Sequence, residues 1–150
     1  MNQPTPTVSR LDVERVVRRD FPSEAFSDVM SVLDGYGTES FQREKERVQL
    51  AVLKLAGGSH EKLRRGIEEA KCDYRDVLSP AEFPGYSKRV FRIDKVPEED
   101  RRNVIDSDWK QYSDWLTRWY LKRRRGLTKK SACPGLRSRS VADGIIISRR

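Results

Sequence analysis

The chain has 150 residues, 36% of them hydrophobic and 36% charged, with two cysteines and one histidine. That balance suits one domain of thin helical layers with solvated outer faces, and it argues against a sandwich, a doubly wound sheet, a disulfide framework or a zinc site. The net charge of +8 belongs to a tail: residues 122–150 hold ten Lys/Arg against one acid, Asp143, while residues 1–121 hold 21 against 22.

The opening segment, MNQPTPTVSR, is polar and lacks the apolar stretch of a secretory signal. Residues 1–8 are expected to be disordered. Ser9 is a suitable cap for a first helix to about Arg19, with Leu11, Val13, Val16 and Val17 as its apolar positions. Phe21-Pro22 ends it, because the residue before a proline is pushed out of the α region. Ser23 is expected to cap a second helix, in which Phe26, Val29, Met30 and Leu33 share one face, and Gly35-Tyr36-Gly37 to stop it. The third predicted helix covers Glu39 to Ala56. Its first half is charged; Val48 to Ala56 is apolar nearly all round, with Leu50 and Leu53 away from a Val48, Val52, Leu55 face, as befits a central helix.

Gly57-Gly58 separates this helix from a fourth, His60 to Leu78, on which Leu63, Ile67, Ala70, Tyr74 and Val77 form a narrow seam. The two-glycine link predicts an antiparallel hairpin of helices three and four. Ser79-Pro80 is expected to end it, and a long connection to Val96 to pack Phe83, Tyr86, Phe91 and Ile93 onto the helices. Pro97-Glu98-Glu99 then starts a fifth helix running to about Arg125. On it Ile105, Trp109, Tyr112, Leu116, Trp119 and Tyr120 form one stripe, with Trp115 at the edge. Helically spaced aromatics that share a face with Ile and Leu point to core filling. The expected fold is all-α: a compact bundle of about five helices over residues 9–125, built around the central hairpin, with residues 126–150 a disordered basic tail. No apolar run approaches the ~20 residues of a membrane span, and the expected setting is cytoplasmic.

The runs ERVQLAVLKLAGG at 46–58, AKCDYRDVLSPAEFPGY at 70–86 and IDSDWKQYSDWL at 105–116 resemble a family of small uncharacterised all-helical bacterial proteins. The matching pieces span about Leu11 to Leu116. The resemblance implies an all-helical fold and supplies no activity and no catalytic residue.

The motifs of common enzymes are absent: there is no G-x-S-x-G, Walker loop, dinucleotide fingerprint or H-E-x-x-H. No catalytic residue, metal ligand or cofactor is assigned, and the residues lean away from an enzyme. Asp73 beside Arg75 and Lys71 is expected to be held as the anion, unlike a general acid. Asp106, Asp108 and Asp114 read as a solvated face, His60 as a surface residue, and Cys72 as exposed. The favoured role is binding another protein. Its candidate surface is Asp73, Arg75 and Asp76 at the end of the fourth helix, with Glu82 and Tyr86 on the segment that follows. A small regulatory or immunity-like partner is one concrete form. The alternative is nonspecific nucleic-acid contact through Lys122, Arg123, Arg124, Arg125, Lys129 and Lys130, which would be salt-dependent and blind to sequence.

Overall fold

The structure, a computed structural model, describes residues 4–89 and 96–127, with side chains to residue 118. Phe91 and Ile93, the side chains of Trp119 and Tyr120, and residues 128–150 of the tail expected to be disordered lie outside the described residues, while Gly126 and Leu127 belong to the last helix.

Among the described residues the fold is all-α, with seven helices: α1 Arg10–Asp20, α2 Phe26–Asp34, α3 Lys45–Ala56, α4 His60–Cys72, α5 Tyr74–Glu82, α6 Pro84–Arg89 and α7 Glu98–Leu127. Ser9 precedes α1, and the Asp12 carboxylate reaches back to accept its N–H and its hydroxyl, both at 2.9 Å. Val13, Val16 and Val17 face the core, whereas Leu11 is 73% exposed. A single 3₁₀ turn, Ser23–Ala25, stands where Ser23 was expected to start α2, and the α-helix proper begins at Phe26.

The helix expected from Glu39 begins only at Lys45. The intervening segment closes instead around Gln42, whose side-chain oxygen accepts the N–H groups of Gly37, Thr38 and Glu39 at 2.6, 3.0 and 3.3 Å. Tyr36 is fully buried below this loop and donates its hydroxyl to the Arg43 carbonyl at 3.0 Å. Glu44, in the left-handed region at φ 53°, turns the chain into α3.

As expected, α3 is the central helix: it packs against α1, α4 and α5, and every residue from Val48 to Leu53 is buried. Leu55 is the exception, 44% exposed rather than part of an inward face. The hairpin of α3 and α4 turns on Gly57 (φ 56°) and Gly58 (φ 86°), a conformation that L side chains adopt at a cost. A Cβ on Gly66 would stand 3.0 Å from Val52 Cγ1, so this glycine sets how closely the two helices cross. His60 is not free on the surface; its ring meets Phe21 edge-on at 5.3 Å.

The expected single helix from His60 to Leu78 is two. Asp73, in extended backbone, ends α4 and caps α5, accepting the Arg75 N–H at 3.0 Å. The seam passes through this corner, since Leu63, Ile67 and Ala70 on α4 and Val77 on α5 are all buried. Pro80 does not end α5, which runs to Glu82. The short α6 and the long α7 then cover the α5 side, with α7 also touching α1. Tyr112 is fully buried; Ile105 and Trp115 are buried too, so Trp115 is core and not edge.

Candidate functional site

Two regions that gather polar side chains differ in access. The first lies where α3, α5 and α7 meet. Glu82, 1% exposed, receives both Nε and Nη2 of Arg47, at 2.7 and 2.6 Å, and Arg47 also pairs with Glu44. Those hydrogen bonds, from Glu82 first, raise the Arg47 pKa above its ordinary value. Lys54 donates to the Ala81 carbonyl and to Gln111 Oε1 at 3.0 Å, with its ammonium 5.1 Å above the Tyr112 ring. Burial lowers its pKa to about 8, against the pull of Asp108 and Glu82. The Tyr112 hydroxyl is buried without a hydrogen-bond partner among the described residues, and burial raises its pKa.

Asp108 belongs to the same joint. It accepts the Gly85 and Tyr86 N–H groups at 3.1 and 2.8 Å and so caps α6 from α7; it is buried, not part of a solvated face. Arg19 on α1, its side chain 5% exposed, forks onto Asp20, donates to the Trp115 carbonyl at 2.7 Å and lies 4.9 Å over the Trp115 ring. These groups tie elements together. Asp108 also borders a depression of about 400 Å³ beside Arg89, Asp100 and Asn103, whereas Glu82 and Tyr112 are withdrawn from the surface.

The second region is open. A depression of about 470 Å³ runs between α2 and α4, floored by Val32, Gly35 and Ile67 and edged by Arg64, Arg65, Glu68 and Lys71. At Lys71 it meets a second, of about 200 Å³, formed by Tyr36, Phe41 and Gln42 on one side and by the Cys72-Asp73-Tyr74-Arg75 corner on the other. Phe41 is 65% exposed at this end. Lys71 pairs with Glu68 at 2.7 Å, Arg65 with Glu69 at 3.0 Å and Arg75 with Asp73 at 2.7 Å. Arg64 has no ion pair among the described residues. The hydrogen bond from the Arg75 side chain, then that from its backbone, holds the Asp73 carboxyl below its ordinary pKa, as the sequence led us to expect for an anion.

The five residues of the expected partner surface therefore separate. Asp73 and Arg75 line the groove corner, and Asp76, exposed, follows them on the first turn of α5. Glu82 is withdrawn, because its carboxylate is spent on Arg47 inside the joint. Tyr86, half-buried on α6, presents its backbone to Asp108. Sequence reasoning missed the other wall: Ser31 and Val32 on α2, Gly35 just past its end, and Phe41 in the Gln42 loop. The one available signal was Phe41, an aromatic within a charged run.

No family model, curated protein or solved structure matches the chain. The chemistry of the groove must therefore be read from its own groups. Cys72 is exposed there, but the sole histidine, His60, sits at the other end of α4, roughly 18 Å away at 1.5 Å per residue. That distance denies the thiol an imidazole base. Among the described residues no group of three His, Cys, Asp or Glu side chains is placed to hold a metal ion, and no helix is long and apolar enough to cross a membrane. The groove offers paired charges above an apolar floor.

Proposed function

We infer that this chain is a protein-binding module that uses the α2–α4 groove and the Asp73–Arg75 corner to engage a larger protein, in the manner of a small regulatory or immunity-like partner. The supporting observation is a pair of neighbouring depressions along α4, one of about 470 Å³ and one of about 200 Å³, that share Lys71 in their linings, the second bordered by an exposed Phe41. The polar groups of the other cluster are consumed in joining helices. The resemblance to a bacterial family is part of the same proposal and supplies the kind of cell in which to look. The test is capture from such a cell with the full chain, comparing wild type, Phe41→Ser and Arg64→Glu/Arg75→Glu. Loss of a recovered protein with both groove variants, and its retention by Leu55→Ser at an exposed position of α3, supports the reading. Retention by all three removes it.

A second reading follows from charge alone: ten Lys/Arg against one acid in residues 122–150 favour contact with nucleic-acid phosphates. Lys122, Arg123, Arg124 and Arg125 lie on the backbone of α7, whereas Lys129 and Lys130 are outside the described residues. Replacing Lys122–Arg125 by Gln would then flatten the salt dependence of single-stranded DNA binding. An unchanged slope removes this reading.

A further inference from the structure

The groove lies between two helices, and its residual charge has a sign. The lining acids, Glu68 and Asp73, are each matched by a lining base, Lys71 and Arg75. Arg65 is matched from outside the groove by Glu69, and Arg64 is left over without an anionic partner among the described residues. The rim is thus net positive above an apolar floor. Its floor side chains are held in place from below: Ile67 and Ala70 are core residues, and Tyr36 is pinned by its hydrogen bond to Arg43. A floor of this kind does not rearrange to suit an occupant.

The shape limits the occupant as well. Among the described residues there is no strand, so there is no sheet edge onto which an extended peptide would add. What is present is two neighbouring depressions along α4, whose combined lining forms the groove. From Arg64 to Cys72 it runs about 12 Å at 1.5 Å per residue, and the corner at Asp73–Arg75 extends it. A helix laid in such a groove presents side chains at i, i+3, i+4 and i+7 to the floor and its flanks to the rim. The larger depression, at about 470 Å³, is of the size that receives large apolar side chains.

We propose that the occupant of this groove is an acidic amphipathic helix of the partner protein, placing an apolar side chain over Val32 and Ile67 and carboxylates against Arg64 and, at the far end, Arg75. The proposal rests on the protein-binding reading above and adds the chemistry of the partner. Binding would re-pair Arg75 away from Asp73, an exchange between exposed ions that costs little. Arg64 would gain the anion it lacks.

The probe is a fluorescein-labelled synthetic peptide of about three helical turns, with Leu along one face and Glu on both flanks, titrated into the full-length chain. Binding is read by anisotropy and mapped by amide chemical shifts. The expected result is saturable binding with shifts concentrated in residues 31–42 and 64–75, roughly tenfold or greater weakening by Arg64→Glu, and no comparable binding of the same peptide with Lys in place of Glu. Shifts confined to residues 119–150 would mean that the basic tail attracts the acid, and would overturn the proposal. So would equal affinity for the Lys peptide. If the acidic peptide fails while Arg64→Glu/Arg75→Glu still abolishes recovery of a cellular protein, the occupant chemistry is wrong and the protein-binding reading stands. If neither responds, that reading falls with it.

Discussion

On its α1, α2 and α4 sides, α3 is closed off mainly by aliphatic side chains; one buried amide, Gln49, donates to the Leu33 carbonyl at 2.8 Å. The ions sit at the margins, where Arg10 forks onto Asp34 at 2.7 Å with Lys45 3.5 Å from the same carboxylate. On its α5 and α7 sides the closure is directional. Arg47 meets Glu82, Lys54 meets Ala81 and Gln111, Asp108 caps α6, and Arg19 holds the Trp115 carbonyl. The contrast teaches why the molecule needs both. Aliphatic contacts set how close α4 lies but tolerate sliding, whereas hydrogen-bonded charges fix where along its length α7 docks. The proposed function rests on the same contrast: Arg47, Glu82 and Lys54 are held between helices, whereas Arg64, Arg65 and Arg75 stand exposed beside the groove.

The sharpest way to break the aliphatic side is Val52→Asp, which places an unpaired charge where α3 meets Gly66 of α4. It should cost about 5 kcal/mol or more, enough to unfold a domain of ordinary stability. A cooperative urea melt close to wild type would show that α3 is not central. Next comes the joint. Glu82→Ala leaves Arg47 without its main partner and should cost ~3–5 kcal/mol, while Glu82→Leu combined with Arg47→Met should recover most of that loss. If the double variant melts no higher than Glu82→Ala, the charges supply stability that packing cannot replace.

A smaller effect separates the two sides by pH. Burial lowers the Lys54 pKa to about 8, so between pH 8 and 10 the folded chain binds fewer protons there than the unfolded chain. Stability should therefore rise with pH across that window. Above pH 10 the raised Tyr112 pKa works in the opposite direction, since the folded state then keeps a proton that the unfolded state gives up. Lys54→Met should flatten the rise seen in denaturant midpoints at pH 8 and 9.5; an equal slope in the variant would assign the effect elsewhere. The smallest expected change is at Leu55, 44% exposed on α3. Leu55→Ser should stay within ~0.5 kcal/mol of wild type, and a larger loss would mean that this position is covered.

Much of the first region was legible because aliphatic periodicity is local. Val13, Val16 and Val17, then Val29, Met30 and Leu33, then Leu63, Ile67 and Ala70 each announce an inward face within a few residues. The joint was not legible, because its partners lie 35 positions apart for Arg47 and Glu82 and 57 for Lys54 and Gln111, and a charged side chain does not reveal in sequence which distant ion it will meet. Asp73 was hidden for another reason. The three-and-four spacing of apolar residues continues through the corner, so the pattern reads as one helix; the capping preference of Asp was the available hint. The Gln42 loop was misread as helix because side-chain capping of backbone N–H groups competes with helix formation at charged, low-apolarity positions. Of the groove's lining, Asp73 and Arg75 are legible as a charged corner in the sequence and the α2 wall is not, since Val32 and Gly35 reach α4 only through the fold.

The most direct test of the account is a hydrogen-exchange footprint of the full chain bound to the protein it captures. The account predicts new protection in residues 31–42 and 61–76, with the amides around Lys54, Glu82 and Tyr112 unchanged from the free chain. Protection confined to α7 and the basic tail, with α2 and α4 exchanging as they do alone, would contradict it.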